Sequence, residues 1–478
     1  MPPVFHPVTP QVAAELAQIC GPDNVVYGDQ KRLDRYSHDA VAEPKYAHSP
    51  EIVVRPATAA AISEIFRIAA REHVAVTPRG AGSGLSGGAV PLYGGIVLSL
   101  ERLNRILEID TQNLIAVVEP GVVTRELDEA AMKHGLFFAG YPMSEEFCTV
   151  GGNVAENAGG GRAIKYGVTG RYITGLEAVI PTGELLRLGG KRLKDVTGYN
   201  FIGLLTGSEG TLGVITKIYI RLLPRPTKRI TIAALFRDTR SAVDAVSAVM
   251  TAGSVVPTSA ELLDRQSLHE TCRAMGETLP FEEAEAMMLF EVDGTNEEVV
   301  ATDARVVEEI CRRGNVVEVF RADAEEESER FWRIRKRAAV ILIRGRLRQS
   351  IEDVVVPIAA IPDFLLGLRE LERRFDVTIP CIGHAGDGNL HATPRINPSW
   401  SVEQWDEREP EILGDLYRMV RRLGGTISGE HGIGHKRKRY LPLVMDEGEI
   451  ALMKRVKRAF DPLGILNPGK IFDLDDEA

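Results

Sequence analysis

The chain has 478 residues, of which 44% are hydrophobic and 26% are charged, and its formal net charge is −10 at pH 7. This is the composition of an ordinary globular protein, so collagen-like, low-complexity and largely disordered chains are excluded. The acidic balance gives no reason to expect nucleic-acid binding. At about 150 residues per domain, the length predicts two or three domains.

The sequence gives no sign of a membrane anchor or of secretion. It contains no run of about 18 apolar residues, and its first residues lack a basic stretch followed by an apolar one. The five cysteines are scattered and include no CxxC pair, which argues against a disulfide framework and against an iron–sulfur cluster within the chain. We therefore expect a cytoplasmic protein, and peripheral attachment to the inner membrane stays open.

Apolar periodicity and turn residues predict mixed helices and strands before residue 224. Thr124 is the expected N-cap of a helix. Strands at 176–180 and 185–188 are expected to form a hairpin, and 214–222 is a further strand. The other predicted helices are 11–19, 57–73 and 124–134, and the other predicted strands are 50–56, 74–77, 96–100, 106–109 and 115–119.

Pro224 and Pro226 mark the expected boundary of the first domain. The elements beyond them follow a strand–helix–strand order that is typical of a ferredoxin-like antiparallel sheet backed by helices. Strands are predicted at 230–236, 287–292 and 315–320, and helices at 241–252 and 297–312. Glycine loops return near the C-terminus, so we expect the last segment to rejoin the first domain.

The loop from Val74 to Gly88 contains a GxGxxG pattern directly after a predicted strand. A Rossmann site needs a helix at this point, because the helix N-terminus holds the pyrophosphate. In this chain a proline, two glycines and another strand follow, so no helix fits. Successive backbone N–H groups of such a loop can still form a nest for a diphosphate, although a mobile surface loop is the plainer alternative.

Two further glycine-rich segments lie at 150–170 and 195–213. Glycine permits positive φ and close approach of a ligand to the backbone. Each segment alone could be a set of structural turns. Three of them in one domain predict an elongated dinucleotide that is held mainly by the main chain.

Four of the ten histidines lie between residues 384 and 435. His384 and His391 flank a strong turn sequence at 386–389, which would make them cross-strand neighbours that can share a metal ion. Glu430 and His431 are adjacent in a second glycine-rich segment, and their approach to the first pair is an assumption. Two histidines and one carboxylate with open positions suit zinc, iron or manganese. The alternative is that these are ordinary surface or core histidines.

Together these motifs resemble the FAD-linked oxidases that have an FAD domain of the vanillyl-alcohol-oxidase (PCMH) type. Within them the chain is most similar to the D-2-hydroxy-acid dehydrogenase group, which includes the FAD subunit of glycolate oxidase, D-lactate dehydrogenase and D-2-hydroxyglutarate dehydrogenase. The resemblance runs from about Ser49 to Phe472. It rests on Pro78 to Gly88, Gly151 to Asn153, Gly207 to Gly213, His384 to His391, Ser428 to Gly434 and Asp461 to Lys470.

The resemblance implies an α+β fold with a two-subdomain FAD-binding domain at 1–225. It also implies a ferredoxin-like cap (substrate) domain at 226–425 and a C-terminal segment at 426–478 that returns to the FAD domain. Some relatives attach FAD covalently through a histidine in the glycine loop. Residues 80–95 contain none, so non-covalent FAD is expected. The residues expected to line the cofactor are Pro78, Arg79, Gly80, Ala81, Gly82, Ser83, Gly84, Leu85, Ser86, Ser144, Gly151, Gly152, Asn153, Asn157, Gly159, Glu209, Gly210, Ile215 and Asn467.

The resemblance also assigns catalytic roles. The group's metal site maps onto His384, His391 and Glu430, and its catalytic base maps onto His431. Asn389 is expected to contact the substrate, and Arg335 to hold the substrate carboxylate, although an ordinary basic helix face would look the same.

The implied reaction is the FAD-dependent oxidation of a D-2-hydroxy acid, glycolate or D-lactate, to the 2-oxo acid. The metal would bind the substrate hydroxyl and carboxylate, His431 would take the hydroxyl proton, and the α-hydrogen would pass as hydride to the flavin. Relatives specific for dicarboxylates add a lysine where this chain has Ile351, so 2-hydroxyglutarate is the less expected substrate.

Reduced flavin must pass its electrons on, to a quinone, a cytochrome or an iron–sulfur partner subunit, and either a homodimer or a hetero-complex would serve. Two other functions stay open: an ether-lipid synthase-like FAD enzyme without net oxidation, and a non-catalytic or partner-dependent FAD subunit of a glycolate oxidase complex. The intact set of histidines and carboxylates argues against a scaffold, because a scaffold needs no metal site.

Overall fold

The computed structural model describes residues 4–41, 43–140, 142–343 and 348–474. The chain divides into two units. The first unit comprises Met1–Gly159, Val168–Pro224 and Glu430–Ala478, and the second unit comprises Gly160–Gly167 and Arg225–Gly429. The functions that the sequence assigns to its predicted domains stay predictions.

The described residues form strands and helices in both units. The strands are β1 (Val25–Tyr27), β2 (Ile52–Val54), β3 (Val76–Arg79), β4 (Ile96–Ser99), β5 (Ile106–Asp110), β6 (Ile115–Val118), β7 (Leu136–Phe137), β8 (Ile173–Val179), β9 (Leu185–Gly189), β10 (Val214–Arg221), β11 (Leu223–Pro224), β12 (Lys228–Phe236), β13 (Ser259–Asp264), β14 (Ala286–Gly294), β15 (Val316–Ala322), β16 (Glu352–Val355), β17 (Cys381–His384) and β18 (Asn389–Ala392). The helices are α1 (Pro10–Cys20), α2 (Gln30–Leu33), α3 (Ala59–Glu72), α4 (Thr124–Met132), α5 (Val150–Glu156), α6 (Ala163–Tyr166), α7 (Phe201–Leu205), α8 (Thr239–Thr251), α9 (Arg265–Met275), α10 (Glu297–Arg313), α11 (Glu325–Ile343), α12 (Ile361–Phe375), α13 (Val402–Arg422) and α14 (Glu447–Phe460).

The first sheet of the first unit has the strand order β1-β2-β4-β3, with β3 and β2 both parallel to β4. Helix α3 begins where Thr58 Oγ1 accepts a hydrogen bond from Ala61 N at 3.1 Å, a common N-cap arrangement. Its apolar face, which includes Ile62 and Phe66, is fully buried in a core shared with α1 and the sheet. Between β3 and β4, residues 80–95 contain no helix, so the prediction that this loop is not of the Rossmann type is confirmed.

The second sheet of the first unit is antiparallel, in the order β5-β6-β10-β8-β9. The predicted hairpin is present as β8 and β9. The predicted N-cap of α4 is wrong: Val123 occupies the cap position, and Thr124 is the first helical residue. The Thr124 hydroxyl is buried and accepts a hydrogen bond from Asn153 Nδ2 at 2.7 Å, so it is used in tertiary packing instead of capping.

The second unit is built on one antiparallel sheet in the order β15-β12-β14-β13-β17-β18-β16. Its first four positions follow the order expected of a ferredoxin-like sheet, and β17, β18 and β16 extend it. The sequence prediction lacks β13 and α9. Charged residues interrupt the apolar pattern of β13, which reads Ser-Ala-Glu-Leu-Leu-Asp, and this obscures the strand.

One face of this sheet carries the hydrophobic core of the second unit. Leu263 of β13 and Leu289 of β14 pack there with Ile334 of α11, and each is fully buried. Helices α9 and α11 therefore cover this face, and α11 brings its polar residues over the neighbouring strands. Among the helices that the structure describes, none is long and apolar enough to cross a bilayer.

The state of the cysteines can be tested directly. All five are buried and free, and burial raises the pKa of Cys272 and Cys311 to about 12. Since the thiolate is the reactive form, we expect almost no reaction of the native protein with Ellman's reagent at pH 8. After denaturation without reductant, all five thiols should react. A shortfall after denaturation would contradict the absence of disulfides.

Candidate active site and cofactor-binding loops

The loop between β3 and β4 depends on close approaches that only glycine allows. A side-chain carbon at Gly80 would lie 2.6 Å from Thr149 Oγ1. Gly82 has φ +69°, and a side chain there would overlap the Arg79 guanidinium. Gly87 N donates to Asp39 Oδ2 at 2.8 Å, which fixes the middle of the loop. The loop is therefore ordered, and the side chains of Thr149, Arg79 and Asp39 pack closely against its glycines.

Three buried polar atoms around this loop have no hydrogen-bond partner among the described residues. They are Thr149 Oγ1, Ser86 Oγ and Asn467 Oδ1. Thr149 precedes the first turn of α5, and its side chain does not cap that helix. Asn467 is tied to the loop because its Nδ2 donates to Gly88 O at 3.1 Å. Buried polar atoms rarely lack partners, so a polar ligand is expected at this loop.

Other residues predicted to line a cofactor use their side chains within the protein. Asn153 Nδ2 donates to Thr124 Oγ1, and Asn157 Oδ1 accepts from Gly170 N at 2.8 Å. Both Glu209 oxygens accept backbone hydrogen bonds, from Ile433 N at 2.7 Å and from Gly434 N at 2.6 Å. These bonds use both carboxylate oxygens of Glu209 but only one side-chain atom of each asparagine, and the predicted role of the three residues stays a prediction.

Two buried carboxyl groups lie beneath the loop that follows His431. A side chain at Gly432 would overlap Glu156 Oε2 and come within 3.1 Å of the Glu209 carboxylate. Burial raises the pKa of Glu156 well above its usual value, and the nearby charge of Glu209 raises it further. Burial also raises the pKa of Glu209, but the amides of Ile433 and Gly434 oppose this. Burial therefore raises the pKa of both carboxyl groups, and backbone amides offset part of this effect at Glu209.

The predicted histidine hairpin is present in the second unit as β17 and β18. Ile382 faces His391 and His384 faces Asn389 in the strand register, so the two histidines lie on the same side of the sheet. Their ring centroids are 5.5 Å apart with an interplanar angle of 89°. Gly388 makes the turn possible with φ +83°. The sequence prediction that the turn brings these histidines together is confirmed.

A buried carboxylate faces each histidine from the neighbouring strand. Glu261 of β13 is opposite His384, and its Oε1 is 2.7 Å from Nδ1 of that ring. Asp353 of β16 is opposite His391, with 3.7 Å between Oδ1 and Nδ1. Both carboxylates have no exposed surface. Burial by itself raises the pKa of Glu261, but the charges and hydrogen bonds of His384 and Arg335 outweigh it and the net pKa is lowered.

Arg335 lies on α11 and shares Glu261 with His384. Its Nε donates to Glu261 Oε2 at 2.7 Å, and its side chain is 3% exposed. The two terminal guanidinium nitrogens make no hydrogen bond within the described part of the chain. A buried arginine with an unused donor pair is suited to bind a carboxylate in bidentate fashion.

Asp353 also organises the residues beside the hairpin. Its carboxylate accepts from Asn389 Nδ2 at 2.6 Å, from Ser428 Oγ at 2.8 Å and from Gly429 N at 2.9 Å. Asn389 Nδ2 also donates to Val354 O at 3.0 Å, which leaves Oδ1 as the atom of this side chain that can face a ligand. Asp353 therefore fixes the turn that directly precedes Glu430 and His431.

The structure thus groups His384, His391, Asn389 and Arg335 in the second unit. Glu430 and His431 begin the last segment of the first unit, where Glu430 Oε1 is 3.8 Å from His431 Nε2. Sequence reasoning missed Glu261 and Asp353 as site residues. The available signal was a carboxylate inside an otherwise apolar run, which is rarely buried unless it has partners.

Comparisons with known proteins agree with this picture. Residues 225–471 match the family described as FAD linked oxidases, C-terminal domain, and residues 50–189 match an FAD binding domain family. Glycolate oxidase subunit GlcD of Bacillus subtilis is 39% identical over 98% of each chain. The chain belongs to the FAD-linked oxidases. D-lactate dehydrogenase of Anaerostipes hadrus is 33% identical over 98% of each chain, and D-2-hydroxyglutarate dehydrogenase of Stutzerimonas stutzeri is 30% identical over 97% of this chain and 99% of its own.

Solved structures show the same fold at low sequence identity. p-Cresol methylhydroxylase superposes with a TM-score of 0.80 at 17% identity, covering 99% of this chain and 100% of its own. Alkyldihydroxyacetonephosphate synthase gives 0.74 at 20% identity, covering 98% and 88%. The predicted PCMH-type fold is therefore confirmed, and this FAD-linked oxidase is an FAD-dependent oxidoreductase.

The loops of the first unit fit the FAD of this FAD-linked oxidase. The glycine loop carries few side chains of its own, and successive backbone N–H groups of such a loop can bind a diphosphate. The buried, unpartnered atoms Thr149 Oγ1, Ser86 Oγ and Asn467 Oδ1 supply further polar contacts at the same loop. FAD can supply the partners that these buried atoms otherwise lack.

The organising role of Asp353 can be tested through stability. Asp353→Asn places an amide NH₂ among three donors, so at least one buried hydrogen bond to a charged acceptor is lost. We expect the free energy of unfolding to fall by about 2–4 kcal/mol. The measurement is urea unfolding followed by circular dichroism. The control is Asp363→Asn, since Asp363 is largely exposed with only a distant pairing to Arg240. Equal stability of the two variants would contradict the role of Asp353.

Proposed function

We propose that this FAD-linked oxidase oxidises a D-2-hydroxy acid, glycolate or D-lactate, to the corresponding 2-oxo acid. The observation that carries the proposal is the grouping of two histidines and an arginine around buried carboxylates in the second unit. Such a set suits a small anion with an adjacent hydroxyl, because the histidines can hold a metal ion and the guanidinium can bind the carboxylate. The names of its relatives, a glycolate oxidase subunit and a D-lactate dehydrogenase, point the same way.

We infer that a divalent metal, zinc, manganese or iron, is held by His384, His391 and Glu430. Because Nδ1 of His384 contacts Glu261, Nε2 is the nitrogen of that ring that can bind a metal. Glu430 follows directly after Gly429, which is hydrogen-bonded to Asp353 opposite His391, and consecutive Cα atoms are only about 3.8 Å apart. Two imidazoles and one carboxylate suit these ions.

Residues of the chain itself bind the substrate and take its proton. FAD, when bound, accepts two electrons, and the metal acts as a Lewis acid toward the substrate oxygens. Arg335 binds the substrate carboxylate, and Asn389 Oδ1 accepts a hydrogen bond from the substrate. His431 takes the proton of the substrate hydroxyl, a task suited to an imidazole near neutral pH.

Several features bear on how FAD is attached, which substrate is used and which electron acceptor is needed. Residues 80–95 contain no histidine, which supports non-covalent FAD. The family resemblance aligns Ile351 with a lysine of dicarboxylate-specific relatives, and this difference favours a substrate with one carboxylate. The five cysteines are scattered and include no CxxC pair, which supports an external electron acceptor: a quinone, a cytochrome or an iron–sulfur partner subunit, in the cytoplasm or at the inner membrane.

The reaction can be tested through the flavin itself. Under anaerobic conditions, with metal supplied, we expect the visible flavin band to bleach with glycolate or D-lactate. L-lactate should leave it unchanged, and D-2-hydroxyglutarate should act weakly. Bleaching by none of the four acids would contradict the proposal and favour synthase-like chemistry or a partner-dependent subunit.

The role of His431 can be tested separately. In His431→Asn, we expect flavin reduction to be about 10²–10⁴-fold slower, because the general base is removed. The measurement is stopped-flow flavin reduction at saturating substrate. The matched control is His134→Asn, at an exposed position of the first unit, which should leave the rate unchanged. A rate for His431→Asn within a few-fold of the control would show that another group takes the proton.

A further inference from the structure

Helix α11 packs across the sheet of the second unit and makes one polar contact with each of three strands. Ser328 Oγ is 2.6 Å from Thr231 Oγ1 of β12. Trp332 Nε1 donates to Glu291 Oε2 of β14 at 3.0 Å, and Arg335 Nε donates to Glu261 Oε2 of β13 at 2.7 Å. Positions 328, 332 and 335 lie on one face of a helix, and β12, β14 and β13 are consecutive in the sheet. These three contacts fix the position of α11 on the sheet.

Glu261 accepts the third of these hydrogen bonds and also contacts His384 of the histidine pair. One of its oxygens accepts from Arg335 Nε, and the other lies 2.7 Å from His384 Nδ1. Its side chain has no exposed surface, so both oxygens are committed to these two residues. A single carboxylate therefore joins the arginine to the histidine.

This contact decides which atoms the two partners present. Nδ1 of His384 donates its hydrogen to Glu261, so the lone pair resides on Nε2, the nitrogen that can bind a metal. Arg335 uses Nε for Glu261, so its two terminal nitrogens remain as a pair for a carboxylate. If Glu261 were missing, the imidazole could adopt either tautomer and the guanidinium could rotate.

The Glu261 carboxylate is also in close contact with the backbone of a neighbouring segment. A side-chain carbon at Gly161 would lie 2.8 Å from Glu261 Oε1 and 3.7 Å from His384 Nδ1. The backbone at Gly161 therefore packs directly against this contact, and a side chain there would displace the Glu261 carboxylate. This packing restricts rotation of the Glu261 carboxylate toward other hydrogen-bond partners.

We propose that Glu261 is a positioning residue that sets the metal ligand His384 and the substrate-binding Arg335 at the same time. The proposal rests on the proposed function, because it takes His384 as a metal ligand and Arg335 as the anion site. Its consequence is that metal affinity and substrate KM depend on one buried carboxylate that touches neither metal nor substrate.

The test compares Glu261→Gln with Glu291→Gln in the FAD-loaded protein. Glutamine keeps the shape but offers one acceptor and one donor where two donors converge, so one contact of Glu261 is lost. Glu291 is a matched control: it is 1% exposed, lies on the adjacent strand and binds α11 through Trp332, but bonds to neither His384 nor Arg335. The readouts are Zn²⁺ and Mn²⁺ dissociation constants from chelator competition, and KM and kcat at saturating metal.

In Glu261→Gln we expect the metal dissociation constant to rise about 10–100-fold, the usual effect of losing the partner of a ligand histidine. We also expect KM for the hydroxy acid to rise more than kcat falls. Glu291→Gln should leave metal affinity and KM unchanged. If Glu261→Gln does not fold, Glu261→Asp, which reaches only one of the two partners, should change both constants in the same direction.

Metal affinity of Glu261→Gln equal to that of the wild type or of Glu291→Gln would overturn the inference. A wild-type protein that binds neither ion would instead contradict the proposed metal centre, and the inference with it. A wild-type protein that binds metal but is not reduced by any hydroxy acid would contradict the proposed reaction, while the metal titration would still decide the role of Glu261.

Discussion

Burying a carboxylate within a sheet costs free energy unless donors surround it, and the second unit does this twice, once on the central strand β13 and once on the edge strand β16. Glu261 is satisfied by His384 and Arg335, and Asp353 by Asn389 and the backbone and hydroxyl of the 428–429 turn. A hydrophobic pair would stabilise the sheet at lower cost. The carboxylates are useful because each fixes the direction of several polar groups, which a hydrophobic contact cannot do.

The first unit solves a different problem, which is to hold a glycine-rich loop in one conformation. Asp39 and Asn467 both bind this loop at two consecutive glycines, Gly87 and Gly88. The loop after His431 is bound by Glu209, which accepts hydrogen bonds from two of its amides, and lies close to Glu156. Burial and the neighbouring Glu209 both raise the pKa of Glu156, because two buried charges so close together would repel each other.

Much of the fold could be predicted where the pattern is local. Helix α3, strand β10 and the β8–β9 hairpin carry strong periodicity or turn residues, and each appears within a few residues of its predicted bounds. The prediction failed where a tertiary partner competes with a local rule. Thr124 has the chemistry of an N-cap, but its hydroxyl bonds to Asn153 instead, and β13 was missed because its carboxylates, which are buried and paired, look like surface residues.

The sequence by itself determined the family motifs, the glycine loops and the turn that places His384 beside His391, because each depends on residues close together in the chain. Only the tertiary structure decided which carboxylates face those histidines. Glu261 and His384 are 123 positions apart, and their contact follows from the pairing of β13 with β17. Strand pairing over such a distance depends on how the whole sheet packs, and no local pattern specifies it.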